Sequence, residues 1–357
     1  MRGIINNSMK SFEHGYIYDT PLSHQLLKAM RTIGEFKGRQ ALYARQSPEI
    51  LETLRKTAIV QSTESSNRIE GITVSPKRLP GLVAKSAKPK NRPEQEIAGY
   101  RDVLAEIYTN HARLKLSTSL IKEWHRMIYK YTGEKAGEWK QKDNSIVQIR
   151  PDGRSVVRFQ PVSAISTPQF MDRLVLLFNQ TLDQARTDPL LIIASFVLDF
   201  ECIHPFGDGN GRIGRLLTLL LLYQSGYEVG RYISLERIVE DSKETYYESL
   251  LKSSSGWHKG SHDLGPWWNY FLGMLTAAYK EFEDRVGNIT SAKGAKREMV
   301  VNAIKRLPDR FTIGEVLNQC PGISRPTVKR AIALLAKQKI VRSLGKGPDA
   351  QWQRIRE

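Results

Sequence analysis

The stretch His204-Pro-Phe-Gly-Asp-Gly-Asn-Gly-Arg-Ile-Gly-Arg215 lies between two strongly apolar segments of a 357-residue chain. Its twelve residues include one histidine, one carboxylate, one amide, two guanidinium groups and four glycines. These groups are suited to holding a polyphosphate beside a proton acceptor. The stretch therefore predicts a chemical site in a loop between two buried helices.

The glycines and arginines of this loop predict a phosphate cradle. Gly207, Gly209 and Gly211 permit backbone angles that turn successive N–H groups toward one anion, and a helix that begins near Arg212 adds its positive end. Arg212 and Arg215 are three positions apart, so we expect both to project from the first helical turn toward the same volume. The Gly-Lys-Ser/Thr ending of a Walker A loop is absent from the stretch.

The two remaining ionisable residues complete the predicted chemistry. Asp208 can hold Mg²⁺ together with substrate phosphates, and His204 can accept a proton from an attacking hydroxyl. Each residue taken singly has a structural alternative, because a lone histidine or a lone aspartate in a glycine-rich turn most often supports the fold. Their convergence in one loop favours a functional site.

Composition limits the class of protein. With 40% apolar residues the chain can bury the cores of two or three domains, and neither a run of about 18 apolar residues nor a secretory leader is visible. We therefore expect a cytoplasmic protein without a membrane partner. Cys202 and Cys320 lie far apart in apolar helical patterns, which favours buried thiols over a disulfide or a metal site.

Positive charge is concentrated at the end of the chain. The formal net charge is +17, and residues 291–357 contribute +10 of it, with seven Lys and eight Arg against five acids. Three helical segments and a hairpin over 340–355 outline a winged helix, with Arg325, Lys329 and Arg330 on or beside its recognition-type helix and Lys346 at the wing. Contact with nucleic acid and contact with protein both stay open for this region.

The rest of the chain is predicted to be mainly helical. Amphipathic helices are expected over 94–111, 118–131, 167–183, 235–255 and 266–286, with buried helices over 190–202 and 212–225 on either side of the loop. Residues 75–93 have four prolines and six basic residues without an acid, which predicts a loop. Residues 145–149 and 155–159 are β-prone and flank a Pro151-Asp-Gly153 turn, the pattern of a β-hairpin.

The stretch 204–215 resembles the signature of Fic-domain proteins, His-Pro-Phe-x-Asp/Glu-Gly-Asn-Gly-Arg-x-x-Arg, at every specified position. Segments from about 94 to 255 resemble the Fic core, and 137–140 with 144–146 are similar to the Fic flap. The resemblance implies a mainly α fold in three parts. These are an N-terminal helical region with an inhibitory helix (1–93), a Fic core with a β-hairpin flap (94–286) and a winged-helix domain (291–357).

For function, the resemblance implies a nucleotidyltransferase of the protein adenylyltransferase class. Such an enzyme uses ATP and Mg²⁺ to transfer AMP to a Ser, Thr or Tyr hydroxyl of a target protein and releases pyrophosphate. The chain itself is among the candidate targets, and a homodimer stays open. The implied roles are general base for His204, packing anchor for Phe206, Mg²⁺ ligand for Asp208, and ATP binding for Gly207, Asp208, Gly209, Asn210, Gly211, Arg212, Arg215, Tyr246 and Tyr247. The flap residues Asn144, Ser145, Ile146 and Val147 would dock the target by β-augmentation.

Ser66-Asn-Arg-Ile-Glu70-Gly71 resembles the inhibitory motif of the same family, Ser/Thr-x-x-x-Glu-Gly/Asn. The resemblance implies that Glu70 reaches Arg215 and occupies the place of the γ-phosphate, since a carboxylate competes with phosphate for a guanidinium group. The alternative is a DNA-binding winged-helix regulator, in which the Fic core senses a nucleotide or removes AMP.

Overall fold

The computed structural model describes residues 11–46, 48–149, 155–287, 292–320, 323–345, 347 and 350–355. The predicted Pro151–Gly153 turn and Lys346 lie outside these residues. The described part contains fifteen α-helices. They are α1 (Tyr16–Asp19), α2 (His24–Gln46), α3 (Pro48–Ile69), α4 (Leu79–Val83), α5 (Arg92–Asn110), α6 (Thr118–Ile128), α7 (Thr167–Gln184), α8 (Pro189–Ile203), α9 (Asn210–Gln224), α10 (Leu235–Asp241), α11 (Lys243–Ser254), α12 (Gly265–Gly287), α13 (Ala292–Arg306), α14 (Ile313–Gln319) and α15 (Arg325–Lys337).

Five short strands form two antiparallel sheets. Strands β1 (Ile146–Ile149) and β2 (Ser155–Phe159) make the predicted hairpin, in which Val147 lies opposite Val157. Near the C-terminus, β3 (Arg310–Thr312), β4 (Val341–Ser343) and β5 (Gln351–Arg354) pair in the order β3-β5-β4. The chain is therefore mainly helical with a small β-hairpin, as predicted.

Three local predictions are wrong in detail. The helix expected over 235–255 is two helices, because the chain turns at Ser242 between α10 and α11. The loop expected over 75–93 contains the short helix α4, and both leucines of this helix are buried. The two-stranded hairpin expected over 340–355 gains a third strand, β3, which pairs with β5 across 40 residues of sequence.

Helix α8 lies in the middle of the hydrophobic core because almost all of its side chains are apolar. Thirteen of its fifteen residues are buried, and the buried set continues into α9. Helices α7, α9, α11 and α12 pack against α8. A short polar loop between two such helices is held at both ends, so its backbone position is set by the core.

Capping explains why several helices begin where they do. Ser117 accepts a hydrogen bond from the N–H of Leu120 at the start of α6, and Asp188 accepts one from Leu190 at the start of α8. These side chains satisfy backbone donors that the first helical turn leaves without a partner.

Two further features follow from burial and composition. Cys202 and Cys320 are free and buried. No helix of the described part has the length and apolar character needed to cross a membrane.

Candidate active site

The loop between α8 and α9 is shaped by two left-handed residues. His204 follows α8 with φ 50, and Gly209 precedes α9 with φ 80. The His204 N–H still donates to the Phe200 carbonyl at 2.9 Å, and the Lys140 N–H donates to the Pro205 carbonyl at 2.8 Å. The left-handed turn at His204 therefore leads the chain sharply out of the buried helix.

Phe206 anchors the loop from below, as the resemblance implies. Its side chain is completely buried and stacks on His125 with the ring centroids 3.8 Å apart. The amide of Asn210 closes the loop, since its Oδ1 accepts from the Phe206 N–H and its Nδ2 donates to the Phe206 carbonyl, both at 2.8 Å. The Asn210 side chain is thus used within the loop, although the residue also borders the cleft described below.

His125 was not visible as a site residue in the sequence. Its Nδ1 accepts from the Gly137 N–H at 2.9 Å, so the proton lies on Nε2, which is 3.1 Å from the Asp208 carbonyl. Burial lowers the pKa of His125 to about 4. The imidazole is therefore a neutral support of the loop.

Asn144 and Lys140 hold the loop from the flap side. Lys140 Nζ donates to Asn144 Oδ1 at 2.8 Å and to the Ile203 carbonyl at 3.0 Å, and burial lowers the pKa of Lys140 to about 8. Asn144 Nδ2 in turn donates to the Phe206 carbonyl at 3.0 Å. The side chain of Asn144 is thus bonded to the loop, and target docking by the flap strand stays a prediction.

Asp208 is the carboxylate that projects from the loop, with 68% of its side chain exposed. Tyr129 donates to its Oδ2 at 2.9 Å, and Arg212 Nη2 lies 3.7 Å from the same atom. Partial burial raises the pKa of Asp208, but the Arg212 charge and the Tyr129 hydrogen bond outweigh it and lower the pKa overall. The described residues contain no cluster of three metal-ligating side chains. One exposed, ionised carboxylate suits Mg²⁺ bound mainly through phosphate and water oxygens.

Arg212 does not share a volume with Arg215, which corrects the expectation from their spacing. The Arg212 side chain is completely buried, with Nη1 2.5 Å from Glu96 Oε2 and Nη2 2.7 Å from the Tyr129 hydroxyl. Both partners lie on the side of α9 that faces α5 and α6. The Arg212 guanidinium therefore lies behind the loop and holds Asp208 and Tyr129 in place.

Arg215 points instead toward the C-terminal end of α3. Its Nε donates to Ser66 Oγ and its Nη2 to the Ser66 carbonyl, both at 2.9 Å, while Nη2 also pairs with Glu70 Oε1 at 2.7 Å. Burial by itself lowers the pKa of Arg215, but the charge and hydrogen bond of Glu70, together with Tyr246 and Tyr100, outweigh it and raise the pKa overall. The only exposed part of Arg215 amounts to 7% of its side chain.

Gly211 makes this approach of Glu70 possible. A Cβ atom at Gly211 would lie 2.3 Å from Glu70 Oε1, closer than two such atoms can come. The Glu70 carboxylate therefore rests against the backbone of the first turn of α9, where helical N–H groups attract an anion.

The turn that carries Glu70 is tied to its surroundings. Gly71 ends α3 with φ 81, and its N–H donates to the Arg68 carbonyl. Lys243 Nζ, on α11, donates to the Ile69 carbonyl at 2.7 Å, and Arg68 pairs with Glu240 at 2.6 Å. These contacts hold the end of α3 over the loop.

His204 has one buried nitrogen and one that a substrate can reach. Nδ1 is buried and 3.7 Å from Glu201 Oε2, and the side chain as a whole is 24% exposed. Nε2 is therefore the nitrogen available to a substrate. Glu201 was missed in the sequence, although a carboxylate three residues before the histidine on a largely apolar helix was a signal.

These groups line one cleft of about 740 Å³. This volume lies within the usual range for small-molecule sites. The loop forms its floor, the hairpin one wall and α11 the other. Of the predicted residues it is lined by Glu70, Ile146, Val147, His204, Gly207, Asp208, Gly209, Asn210, Gly211, Arg215, Tyr246 and Tyr247. Arg158 and Lys243 also line it and were not foreseen.

The aromatic pair and the flap shape the walls of the cleft. Tyr246 is buried and packs edge-on against Tyr247 with centroids 5.2 Å apart. Arg158, on β2, donates to the Tyr247 carbonyl at 3.0 Å and so joins the hairpin to α11. Val147 is 53% exposed on the hairpin, whereas Ser145 bonds Gln160 at 2.9 Å.

Comparison with known proteins finds relatives of the middle of the chain. The Fic/DOC family model matches residues 115–222. A Fido domain-containing protein of Dictyostelium discoideum is 32% identical over 98 residues, which cover 26% of this chain and 64% of that protein.

Solved structures share the fold over a larger part of the chain. A Fic family protein from Desulfovibrio desulfuricans has a TM-score of 0.59 at 19% identity, covering 94% of this chain and 98% of that one. A Fic domain containing signaling protein from Bacteroides thetaiotaomicron has a TM-score of 0.58 at 23% identity, covering 74% and 97%. Fic-1 from C. elegans has a TM-score of 0.56 at 20% identity, covering 73% of each chain.

Proposed function

Starting from the match of residues 115–222 to the Fic/DOC family model, we propose that the protein transfers AMP from ATP to a hydroxyl side chain of a target protein and is held inactive by Glu70. The observation that carries the proposal is the cleft in which His204, Asp208 and the first turn of α9 meet, with Glu70 paired to Arg215. A proton acceptor, a metal ligand and an anion site thus line one cavity.

In the proposed reaction the hydroxyl oxygen of the target forms a bond to the α-phosphorus, and the bond from this phosphorus to the bridging oxygen of pyrophosphate breaks. His204 Nε2 takes the hydroxyl proton, since Nδ1 is buried. Glu201 Oε2, 3.7 Å from Nδ1, would stabilise the positive charge that develops on the imidazole.

The phosphates of ATP would lie along the loop and the start of α9. The backbone N–H groups of 207–211 and the helix end attract their charge. Asp208 would hold Mg²⁺, which neutralises phosphate charge when bound. The hairpin edge at Ile146 and Val147, which lines the cleft, would receive an extended segment of the target.

Inhibition follows from competition for Arg215. Its Nη2 is engaged by Glu70 and Ser66, so a terminal phosphate cannot take this guanidinium until the carboxylate leaves. The contact at Gly211 adds steric exclusion, because Glu70 fills the space above the helix start. In the resting protein, ATP is therefore kept from its reactive position.

Label transfer from α-labelled ATP to protein in the presence of Mg²⁺ tests this proposal. We expect Glu70→Gly to raise incorporation at least about tenfold, because the loss of one charged hydrogen bond of 1.5 kcal/mol or more corresponds to that factor. Glu70→Gln, which keeps the shape but loses the charge, should be intermediate. His204→Ala in the Glu70→Gly background should abolish transfer.

Glu52→Ala is the matched control, since Glu52 is an exposed carboxylate near the other end of α3. It should leave incorporation at the wild-type level. Intact-mass spectrometry of Glu70→Gly after incubation with ATP shows whether the group added is AMP and whether the chain modifies itself. Absence of any incorporation by Glu70→Gly would sink the proposal.

A further inference from the structure

All the charged side chains of residues 323–345 are positive. These residues contain six cationic side chains and neither Asp nor Glu, and they lack Phe, Tyr, Trp and His. All six cations are exposed in the structure. They are Arg325, Lys329, Arg330, Lys337, Lys339 and Arg342.

Helix α15 carries its basic side chains on one face and its core-facing apolar side chains on the other. Val328, Ala331, Ile332 and Leu335 are buried against α13, α14 and β4. The opposite face carries the basic side chains, and exposed Ala333 lies between them. This face leaves the helix backbone accessible at its centre, where the side chain is small.

Three of the cations on this face lack a carboxylate partner in the part of the chain that the structure describes. Lys329, Arg330 and Lys337 have no ion pair with a carboxylate of the described residues, whereas Arg306 and Arg354 in the same region pair with Glu281 and Asp309. An exposed cluster of unneutralised cations attracts a polyanion.

We propose that the exposed face of α15, together with β4, binds double-stranded DNA through its phosphates and major groove. A 13-residue helix is about 20 Å long, and the major groove of B-form DNA, about 12 Å wide, admits a helix. The Ala333 position permits close approach to the groove. Lys329, Arg330 and Lys337 then lie beside the phosphates that border it.

The residue types on this face disfavour single-stranded nucleic acid, duplex RNA and protein as its partner. Single-stranded nucleic acid is usually held by aromatic stacking, and the face has no aromatic side chain. The major groove of duplex RNA is too narrow for side chains to read. Protein interfaces are typically depleted in Lys and anchored by aromatic residues, which this face lacks.

Fluorescence anisotropy of a labelled DNA duplex of about 30 base pairs, titrated with the full chain, tests the proposal. Between about 50 and 200 mM salt we expect affinity to fall by roughly 40- to 150-fold, the change that three or four phosphate contacts predict. Lys329→Gln with Arg330→Gln should weaken binding at least about tenfold and reduce the salt slope by about two.

Arg113→Gln with Lys115→Gln is the matched control, because it removes one Arg and one Lys that are exposed between α5 and α6. It should retain wild-type affinity. Equal loss in the control pair, a flat response to salt, or unchanged binding by the α15 variant would overturn the proposal. Equal affinity for duplex RNA or for a single strand would overturn the assignment to DNA. A complete lack of binding would overturn the proposal and leave a protein partner as the alternative.

Discussion

His125 supports the candidate site although it is far from the loop in sequence. It lies on the buried side of α6, stacks flat under Phe206 and donates to the Asp208 carbonyl. Both ring nitrogens are used while the imidazole is neutral. A second proton would remove the acceptor for the Gly137 N–H, so protonation opposes the folded loop.

We therefore expect acid to weaken the protein through His125. Its pKa is about 4 in the folded chain and about 6.5 when unfolded, so the unfolded state binds the proton first. Stability is then lost as pH falls from about 6.5 toward 4, by up to about 3 kcal/mol from this group. Urea unfolding at about pH 7 and pH 5 should show a smaller loss in His125→Gln than in the wild type.

The exposed histidine of α2 gives a control for this measurement. His24→Gln removes a histidine without touching the loop and should keep the wild-type dependence on pH. An unchanged loss in His125→Gln would show that the imidazole under Phe206 does not cause it.

At the scale of elements, the candidate inhibitory contact depends on how α3 meets α11. Lys243 binds the carbonyl of Ile69, the last residue of α3, and so holds the turn that carries Glu70. The ammonium group has a favourable interaction with the negative end of a helix. The position of Glu70 is therefore set by a neighbouring helix as well as by its own.

Lys243→Met should release this turn. On the basis of the proposed function, we expect AMP incorporation to rise about two- to fivefold, less than for Glu70→Gly, because a helix-end interaction contributes about 0.3–1 kcal/mol. Label transfer with α-labelled ATP measures the effect. Lys252→Met, on the same helix but paired with Glu248 on the surface, should behave as wild type.

A decrease in incorporation by Lys243→Met would show that this lysine serves ATP binding more than inhibition. It lines the cleft, so the two roles give opposite signs. Titration of ATP against the variant separates them further, since release of Glu70 predicts tighter binding.

Secondary structure was predictable where the local pattern was complete. The bounds of α7, α8 and α9 lie within one or two residues of the predicted ones, because their apolar periodicity and end signals agree. Strand β3 was missed because three residues carry almost no pattern, and their pairing with β5 arises only in the folded chain. The break at Ser242 lacked the Gly or Pro that usually marks one.

For the whole molecule, a buried charge cluster joins the C-terminal part to the helical core. Glu281 on α12 pairs with Arg237 of α10, Arg285 of α12 and Arg306 of α13. Burial raises the pKa of Glu281, but these three charges outweigh it and lower the pKa to about 2. One carboxylate thus pairs with cations from three helices.

Glu281→Gln should destabilise the protein by about 3 kcal/mol, because it leaves the buried Arg285 guanidinium without its counter-charge, whereas Arg237 keeps Asp241. Arg306→Gln should cost less than about 1 kcal/mol, since Arg306 is 42% exposed and Glu281 keeps two partners. Chemical denaturation measures both. Equal costs for the two variants would show that the cluster does not join the parts as described.

The sequence by itself determined the helices, the hairpin and a loop with the groups that the proposed chemistry needs, because apolar periodicity and glycine positions act over a few residues. Only the tertiary structure decided what each arginine of the loop does. Arg212 meets Glu96, 116 positions away, while Arg215 meets Glu70, 145 positions away. Spacing along one helix determines where a side chain leaves the backbone. The charges on neighbouring helices determine where its guanidinium group lies. That is why the two guanidinium groups, one turn apart, point to different places.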